Sequence, residues 1–227
     1  MLLLLFDIDG TLLQRASREH AQALTQAAAT IHGVPPLDGR VEAAGRTDGA
    51  IVRDLLELAG VDGHAADARW PEVQAAAVRT YETLCPADLS AKVAPGIPEL
   101  LEALAGRPQE FRLSLVTGNL EAVARLKLDR AGLGRHFVPG QGGFGSDDEQ
   151  REALPPIARA RAADPPWPRE RTAVVGDTPR DIACARADGL RVAAVATGPF
   201  GRDALAGADV VVDDARELLG VLEDWAA

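Results

Sequence analysis

The chain has 227 residues, 47% of them apolar and 26% charged, a composition typical of a soluble globular protein rather than a disordered or disulfide-stapled one. Its 34 acidic residues outnumber its 24 basic residues and give a net charge of −10, which repels a nucleic-acid backbone and an anionic membrane surface. No run of apolar residues is long enough to span a bilayer, and the two cysteines have no metal-binding or redox spacing. We therefore expect a cytoplasmic protein with neither nucleic acid nor membrane as a partner.

The first apolar run, residues 2–6, is predicted to be a buried strand because it is short and continuously apolar. Residues 15–93 then carry helical patterns at 17–32, 49–59 and 65–84, with no convincing strand. We predict that residues 15–93 form an inserted α-helical cap domain, called the cap segment below. The residues on either side, 1–14 and 94–227, would form a core domain.

After the cap segment, apolar runs alternate with helical patterns. The runs are residues 112–116, 172–175, 191–195 and 209–212, and the helical patterns are 98–104, 120–131, 152–162, 181–187 and 215–225. Because strands that alternate with helices form parallel sheets covered on both faces, the fold class is predicted to be α/β with a doubly wound parallel sheet.

Acidic side chains follow the first strand directly, in the sequence FDIDGTLL. Asp7 and Asp9 are two positions apart, so on an extended backbone their side chains point to the same side. Ligands of open parallel sheets bind at the carboxyl ends of the strands. Taken alone, such a pair of acids is equally typical of a solvated turn.

Other strand ends carry complementary groups. Thr117, Gly118 and Asn119 offer a hydroxyl and backbone N–H groups just before a helix, which suits an anion. Asp177 and Asp181 add two carboxylates after a later strand. Like charges about 4 Å apart repel by about 4 kcal/mol at an effective dielectric constant of 20, so such a cluster requires a cation. Oxygen ligands beside a phosphate favour Mg²⁺.

The segments FDIDGTLL, LVTGN and VVGDTPRDIACARADG resemble the first, second and fourth motifs of the haloacid dehalogenase-like hydrolase superfamily. The resemblance is to its phosphatases with a helical cap, the phosphoglycolate phosphatase and β-phosphoglucomutase-like group. The third motif of that family is usually a lysine, and Arg151 stands at its position. Arginine keeps the charge and binds phosphate bidentately. The alternative is Lys127, whose position on a helix reads as a solvent-facing lysine, so we predict Arg151.

The resemblance implies a mechanism. Asp7 would attack phosphorus to form an aspartyl-phosphate, and Asp9 would act as general acid and then general base. Mg²⁺ would be held by Asp7, the Asp9 carbonyl and Asp177, while Asp181 would hold water ligands of the metal or orient Arg151. The phosphate-binding residues would be Thr117, Gly118, Asn119 and Arg151.

These features predict a Mg²⁺-dependent phosphatase that hydrolyses a small phosphorylated metabolite. Asp9 favours phosphate chemistry over dehalogenation, because a halide leaving group needs no proton. One alternative is a phosphomutase of the β-phosphoglucomutase type, and another is a noncatalytic binding protein with the same fold. The sequence identifies neither the phosphomonoester nor the oligomeric state.

Weaker signals lie elsewhere in the chain. Arg46, between two helical patterns of the cap segment, either contacts an anionic group of the substrate or pairs with Asp48 at a helix start. Residues 140–145 match a dinucleotide-binding glycine pattern, but acids follow it, so we interpret it as a flexible loop leading to Arg151. The four histidines read as surface or packing residues.

Overall fold

Six parallel strands form the central sheet of the computed structural model, which describes residues 1–37 and 41–227. The strands are β1 (Leu2–Phe6), β2 (Phe111–Thr117), β3 (Gly143–Phe144), β4 (Thr172–Gly176), β5 (Arg191–Val195) and β6 (Val210–Val212). They lie in the order β3-β2-β1-β4-β5-β6, and every pair is parallel. The predicted fold class is confirmed.

Helices cover both faces of this sheet, which explains why its strands are continuously apolar. The helices are α1 (Arg18–His32), α2 (Asp48–Leu58), α3 (Gly63–Leu84), α4 (Ile97–Ala105), α5 (Glu121–Arg130), α6 (Leu154–Ala162), α7 (Pro179–Ala187) and α8 (Leu218–Ala226). Alternate residues of β1 belong to different cores. Leu4 packs in the cluster that includes α4, α5 and α8, whereas Leu5 packs in the cluster formed with α6 and α7.

The cap segment contains α1, α2 and α3, and α1 packs along α3. Its two ends run side by side, because Gln14 N–H donates to the Lys92 carbonyl and Ala94 N–H donates to the Leu12 carbonyl, at 2.7 and 3.0 Å. This arrangement fits an insertion into the core. The division into two domains at 14/15 and 93/94 stays a prediction.

The glycine-rich stretch at 140–145 differs from its prediction as a flexible loop. Gly143 and Phe144 form β3, which pairs with Val116 and Thr117 of β2. Phe144 is fully buried. A strand of two residues is too short to show an apolar pattern, so it depends on backbone pairing that the local sequence does not reveal.

None of the described helices has the length and apolar composition needed to cross a membrane.

A buried ion pair links α6 to the end of α7. Arg159 donates from Nε and Nη2 to the two oxygens of Asp188, at 2.7 and 3.0 Å, and both residues are at most 7% exposed. Removing one partner of a buried pair leaves an uncompensated charge. We predict that Asp188→Ala lowers the free energy of unfolding, measured by urea denaturation, by about 3–5 kcal/mol. Asp213→Ala is the control, because its partner Arg202 is largely exposed and its loss should cost less than about 1 kcal/mol. Equal losses would contradict this account.

Candidate active site

The predicted site residues meet at the carboxyl edge of the sheet. Phe6 is in register with Leu115 and Val175, so the residues that follow β1, β2 and β4 leave the sheet side by side. A cavity of about 600 Å³ lies there. Its lining includes Asp7, Asp9, Arg46, Thr117, Gly118, Asn119, Arg151 and Asp177.

Three carboxylates converge beside this cavity. Oxygen atoms of Asp7, Asp177 and Asp181 lie within 4.8 Å of one another, and all three residues are buried. Burial, followed by repulsion between the acids, raises the pKa of Asp177 to about 8, and burial raises the pKa of Asp7 to about 7. The cluster could hold a metal ion, because a cation would remove the repulsion that makes the charged forms costly.

The contacts of Asp177 support such a site. Its Oδ1 accepts a hydrogen bond from the Thr11 hydroxyl at 2.9 Å, whereas its buried Oδ2 has no partner among the described residues. Gly10 turns the chain with φ of 97°, and a Cβ there would overlap the Asp177 carboxylate. The chain therefore packs closely against the Asp177 oxygen that has no hydrogen-bond partner among the described residues.

Both oxygens of Asp181 already have partners. Oδ2 accepts from the N–H groups of Asp177 and Thr178, at 3.1 and 2.9 Å, and so caps α7. Oδ1 pairs with Arg151. Of the two roles predicted for Asp181, these contacts favour orienting Arg151 over holding ligands of a metal.

Arg151 lies between two of the acids. Its guanidinium contacts Asp7 Oδ1 at 3.1 Å and Asp181, and the residue is only 6% exposed. It begins the short turn Arg151–Ala153 that leads into α6. Its buried Nε has no hydrogen-bond partner among the described residues, and Arg151 lines the cavity.

Lys127 corrects an expectation. It is fully buried rather than solvent-facing, and its Nζ lies 2.5 Å from Asp9 Oδ2. Lys127 occupies the buried face of α5 together with Val123, Ala124 and Leu128. Its spacing of three and four residues from Ala124 and Val123 is the signal that could have revealed its burial.

Asp9 is held through a single oxygen. Oδ2 accepts from Lys127 and from Asn119 Nδ2, the latter at 2.9 Å, while the buried Oδ1 has no partner among the described residues. Burial acts to raise the pKa of Asp9, but the charge of Lys127, together with His20 and Asn119, outweighs it and holds the pKa below its usual value. Asp9 is therefore a carboxylate at neutral pH.

The cap segment contacts the loop after β2. Asp48 N–H donates to the Gly118 carbonyl at 2.8 Å, and Asp48 Oδ2 accepts from Leu120 N–H at 2.7 Å. A Cβ on Gly118 would overlap the Arg46 carbonyl oxygen. Only glycine at position 118 permits this close approach.

Arg46 does not pair with Asp48 at the helix start, so that expectation is wrong. Its guanidinium contacts Asp54 Oδ2 at 2.6 Å and the Ala50 carbonyl at 3.0 Å, and Thr47 caps α2. Asp48 is directed to the core instead. A contact between Arg46 and an anionic group of the substrate stays a prediction, and the charge of Arg46 is already paired.

His20 is a further residue whose place sequence reasoning missed. It is a buried residue on α1 that lines the cavity and contacts Lys127 and Asp48. Its position depends on how α1 packs against the core, so no local pattern in the sequence distinguishes it from a packing histidine.

Comparison with known proteins decides the family. The family model described as haloacid dehalogenase-like hydrolase matches residues 4–186. The chain belongs to this family. It is therefore confirmed as an enzyme of a hydrolase family, as the first, second and fourth motifs predict.

Two curated relatives align over nearly their whole length. Phosphoglycolate phosphatase of Rhodospirillum rubrum is 33% identical, over 97% of this chain and 89% of that protein. N-acetylmuramic acid 6-phosphate phosphatase of Pseudomonas aeruginosa is 31% identical, over 96% of this chain and 93% of that protein.

Solved structures share the fold. A β-phosphoglucomutase from Clostridium difficile superposes with a TM-score of 0.68 at 16% identity, covering 100% of this chain and 97% of that one. A hydrolase from Pseudomonas syringae superposes with a TM-score of 0.67 at 21% identity, covering all of both chains. At these identities the likeness concerns the fold alone.

The carboxylate cluster generates a test by substitution. Asp177→Asn removes one of the repelling charges and keeps an oxygen for Thr11. At about pH 8.5 without metal, the free energy of unfolding of the variant should be about 2–5 kcal/mol higher than that of the parent chain. Mg²⁺ at about 100 times its Kd should stabilise the parent by about 2.7 kcal/mol and leave the variant unchanged.

Calorimetry with and without Mg²⁺ measures both effects, with Asp213→Asn, a substitution of an exposed acid, as the matched control. A variant that is less stable than the parent and still gains stability from Mg²⁺ would contradict the assignment.

Proposed function

We propose that this chain is a Mg²⁺-dependent phosphatase that hydrolyses a small phosphomonoester through an aspartyl-phosphate on Asp7. The carrying observation is that two neighbouring acids at one cavity are each paired with a different buried cation. Asp7 contacts Arg151, and Asp9 contacts Lys127. Phosphoryl transfer to water through the enzyme needs a nucleophile beside a phosphate-binding cation, and a separate carboxylate for proton transfer.

In the first step, a carboxylate oxygen of Asp7 attacks phosphorus, and the bond between phosphorus and the leaving oxygen breaks. Arg151, which lines the cavity beside Asp7, binds the phosphoryl oxygens as their charge shifts. Thr117 and the backbone N–H groups of the loop after β2 add further donors. Asp9 gives the leaving oxygen the proton that it took from water in the second step of the preceding turnover, and so becomes the carboxylate that the next step uses.

In the second step, water attacks the phosphorus of the aspartyl-phosphate. Asp9 takes a proton from this water, phosphate leaves, and the Asp7 carboxylate is restored. The ionised state of Asp9 beside Lys127 is the state that this step requires of a general base.

Asp7, Asp177 and the Asp9 carbonyl would hold the ion, in line with the converging buried carboxylates and with the Asp177 oxygen that has no partner within the described part of the chain. When bound, Mg²⁺ supplies positive charge that reduces the repulsion between a carboxylate nucleophile and a phosphate.

The substrate class is a small phosphorylated metabolite. A cavity of about 600 Å³ matches the size range of small-molecule sites, and the cap segment forms one of its walls. The names of the two curated relatives, one acting on phosphoglycolate and one on an amino-sugar phosphate, support this class. Both compounds belong in a phosphate-release screen, together with hexose phosphates tested with and without a bisphosphate primer, which would reveal a phosphomutase.

We predict that Asp7→Asn lowers kcat on every accepted phosphomonoester by at least about 1,000-fold, because the nucleophile is lost. The circular dichroism spectrum should not change. Phosphate release measures the effect, with Asp213→Asn as the matched control. An Asp7→Asn variant that keeps more than about a tenth of the parent activity would exclude Asp7 as the nucleophile.

A second prediction concerns Arg151. Arg151→Ala should reduce kcat/KM by about 100-fold or more and weaken inhibition by inorganic phosphate at least about tenfold, because a bidentate cation is lost. Arg151→Lys should restore part of both, since it keeps the charge. Steady-state kinetics with phosphate as a competitive inhibitor measures both quantities. An unchanged inhibition constant in Arg151→Ala would show that phosphate is bound elsewhere.

A further inference from the structure

The part of the cavity that the cap segment forms is largely apolar. Its lining there includes Ala21 and Leu24 of α1, Ile51 and Leu55 of α2, and Val41. Residues three or four positions apart lie on the same face of a helix, so α1 and α2 each turn one apolar face to the cavity. These five residues are called the apolar wall below.

Packing of the hydrophobic core does not account for this wall. Val41, Ile51 and Leu55 belong to neither of the two hydrophobic cores formed by the described residues, and Val41 and Ile51 are partly exposed. Removing apolar surface from water is favourable, so these side chains would stabilise an apolar occupant of the cavity. Polar side chains at these positions would suit a charged or strongly hydrated occupant instead.

Four polar side chains of the cap segment also line the cavity, and each already has a partner within the chain. The Thr25 hydroxyl donates to a carbonyl of its own helix at 3.0 Å. Arg46 contacts Asp54 Oδ2 at 2.6 Å, and His20 contacts Asp48 Oδ2 at 3.0 Å. A carboxylate of the substrate would therefore have to displace an existing ion pair in order to bind Arg46.

Two further polar residues of the cap segment, Arg15 and Ser17, line the cavity but are exposed. An ion pair between exposed groups changes an affinity by no more than about fivefold. Burial of hydrocarbon against the apolar wall changes an affinity by up to about fourfold for each methylene group. Several methylene groups thus outweigh one exposed ion pair, so the apolar wall rather than Arg15 sets the preference.

We propose that the substrate is a phosphomonoester with an uncharged, apolar leaving group, and that the apolar wall selects it. This inference rests on the proposed function, in which the phosphoryl group lies beside Asp7 and Arg151. The leaving group then extends toward α1 and α2, because the same cavity reaches both sets of residues. Its volume of about 600 Å³ accommodates a group of several carbon atoms. An alkyl or aryl phosphate fits this description better than a phosphorylated hydroxy acid.

A series of unbranched alkyl phosphates, from ethyl to hexyl phosphate, tests the contact with the apolar wall. The alcohols that leave differ little in acidity, so the need for proton transfer is the same throughout the series. We expect kcat/KM to rise about two- to fourfold with each added methylene group, measured by phosphate release at low substrate concentration. A series that is flat, or that falls with chain length, would overturn the proposal.

A pair of esters of nearly the same shape tests the exclusion of charge. In γ-phosphooxybutyrate, a carboxylate takes the place of the branched end of isohexyl phosphate. Because an unpaired charge loses its hydration against an apolar wall, kcat/KM for γ-phosphooxybutyrate should be at least about 30-fold lower. Equal values, or a preference for the carboxylate, would show that a cation such as Arg15 or Arg46 binds the leaving group and would overturn the proposal.

Ile51→Thr tests the wall itself, because it keeps a branched side chain and replaces hydrocarbon with a hydroxyl. The ratio of kcat/KM for hexyl phosphate to that for ethyl phosphate should fall about three- to tenfold. Leu58→Thr is the matched control, since Leu58 lies on the same helix, is 71% exposed and is outside the cavity. The control should keep the parental ratio. A parental ratio in Ile51→Thr, with an unchanged circular dichroism spectrum, would overturn the proposal.

Failure of this inference and failure of the proposed function give different results. Hydrolysis that is lost in Asp7→Asn but shows no dependence on chain length would overturn the preference for an apolar leaving group and leave the phosphatase mechanism intact. Hydrolysis that survives in Asp7→Asn, or no hydrolysis of any ester, would overturn the proposed function and this inference with it.

Discussion

Burying several carboxylates at one edge of a parallel sheet is the constraint on which the rest of this structure depends. Two of them, Asp7 and Asp177, have raised pKa values, first because they are buried and then because other carboxylates lie nearby. Two buried cations form ion pairs with different acids: Arg151 pairs with Asp7, and Lys127 pairs with Asp9. One oxygen of Asp177 has no hydrogen-bond partner among the described residues, and the cluster of Asp7, Asp177 and Asp181 could hold a metal ion. Charge compensation thus gives the two acids different environments within one cavity, as their proposed roles of nucleophile and proton-transfer group require.

The cations beside Asp7 and Asp9 come from elements far apart in the chain, so the charges at the site depend on how these elements pack. Arg151 precedes α6, Lys127 lies on α5, and the histidine that holds Lys127 lies on α1 in the cap segment. Glycine at position 118 lets the start of α2 rest on the loop after β2. Asp48 and His20 of the cap segment thus contact both this loop and the lysine beside Asp9.

The sequence allowed us to predict which residues lie together where their position follows from the end of a strand. Asp7, Thr117 and Asp177 lie together because parallel strands deliver their carboxyl ends to one edge, and continuous apolar runs reveal such strands. The prediction from sequence missed β3, which is two residues long, and misjudged Lys127, which occupies an apolar position on α5. It could not place His20, since contacts between the cap segment and the core depend on tertiary packing with no local periodicity.

In the proposed mechanism, Asp7 receives the phosphoryl group beside Arg151. A crystal structure of the chain with Mg²⁺ and beryllofluoride, which mimics an aspartyl-phosphate, tests it most directly. We predict a trifluoroberyllate on an Asp7 oxygen, with its fluorines bound by Arg151 and Thr117 and the ion held by Asp7 and Asp177. Beryllofluoride on a different residue, or an ion bound away from Asp177, would exclude this mechanism.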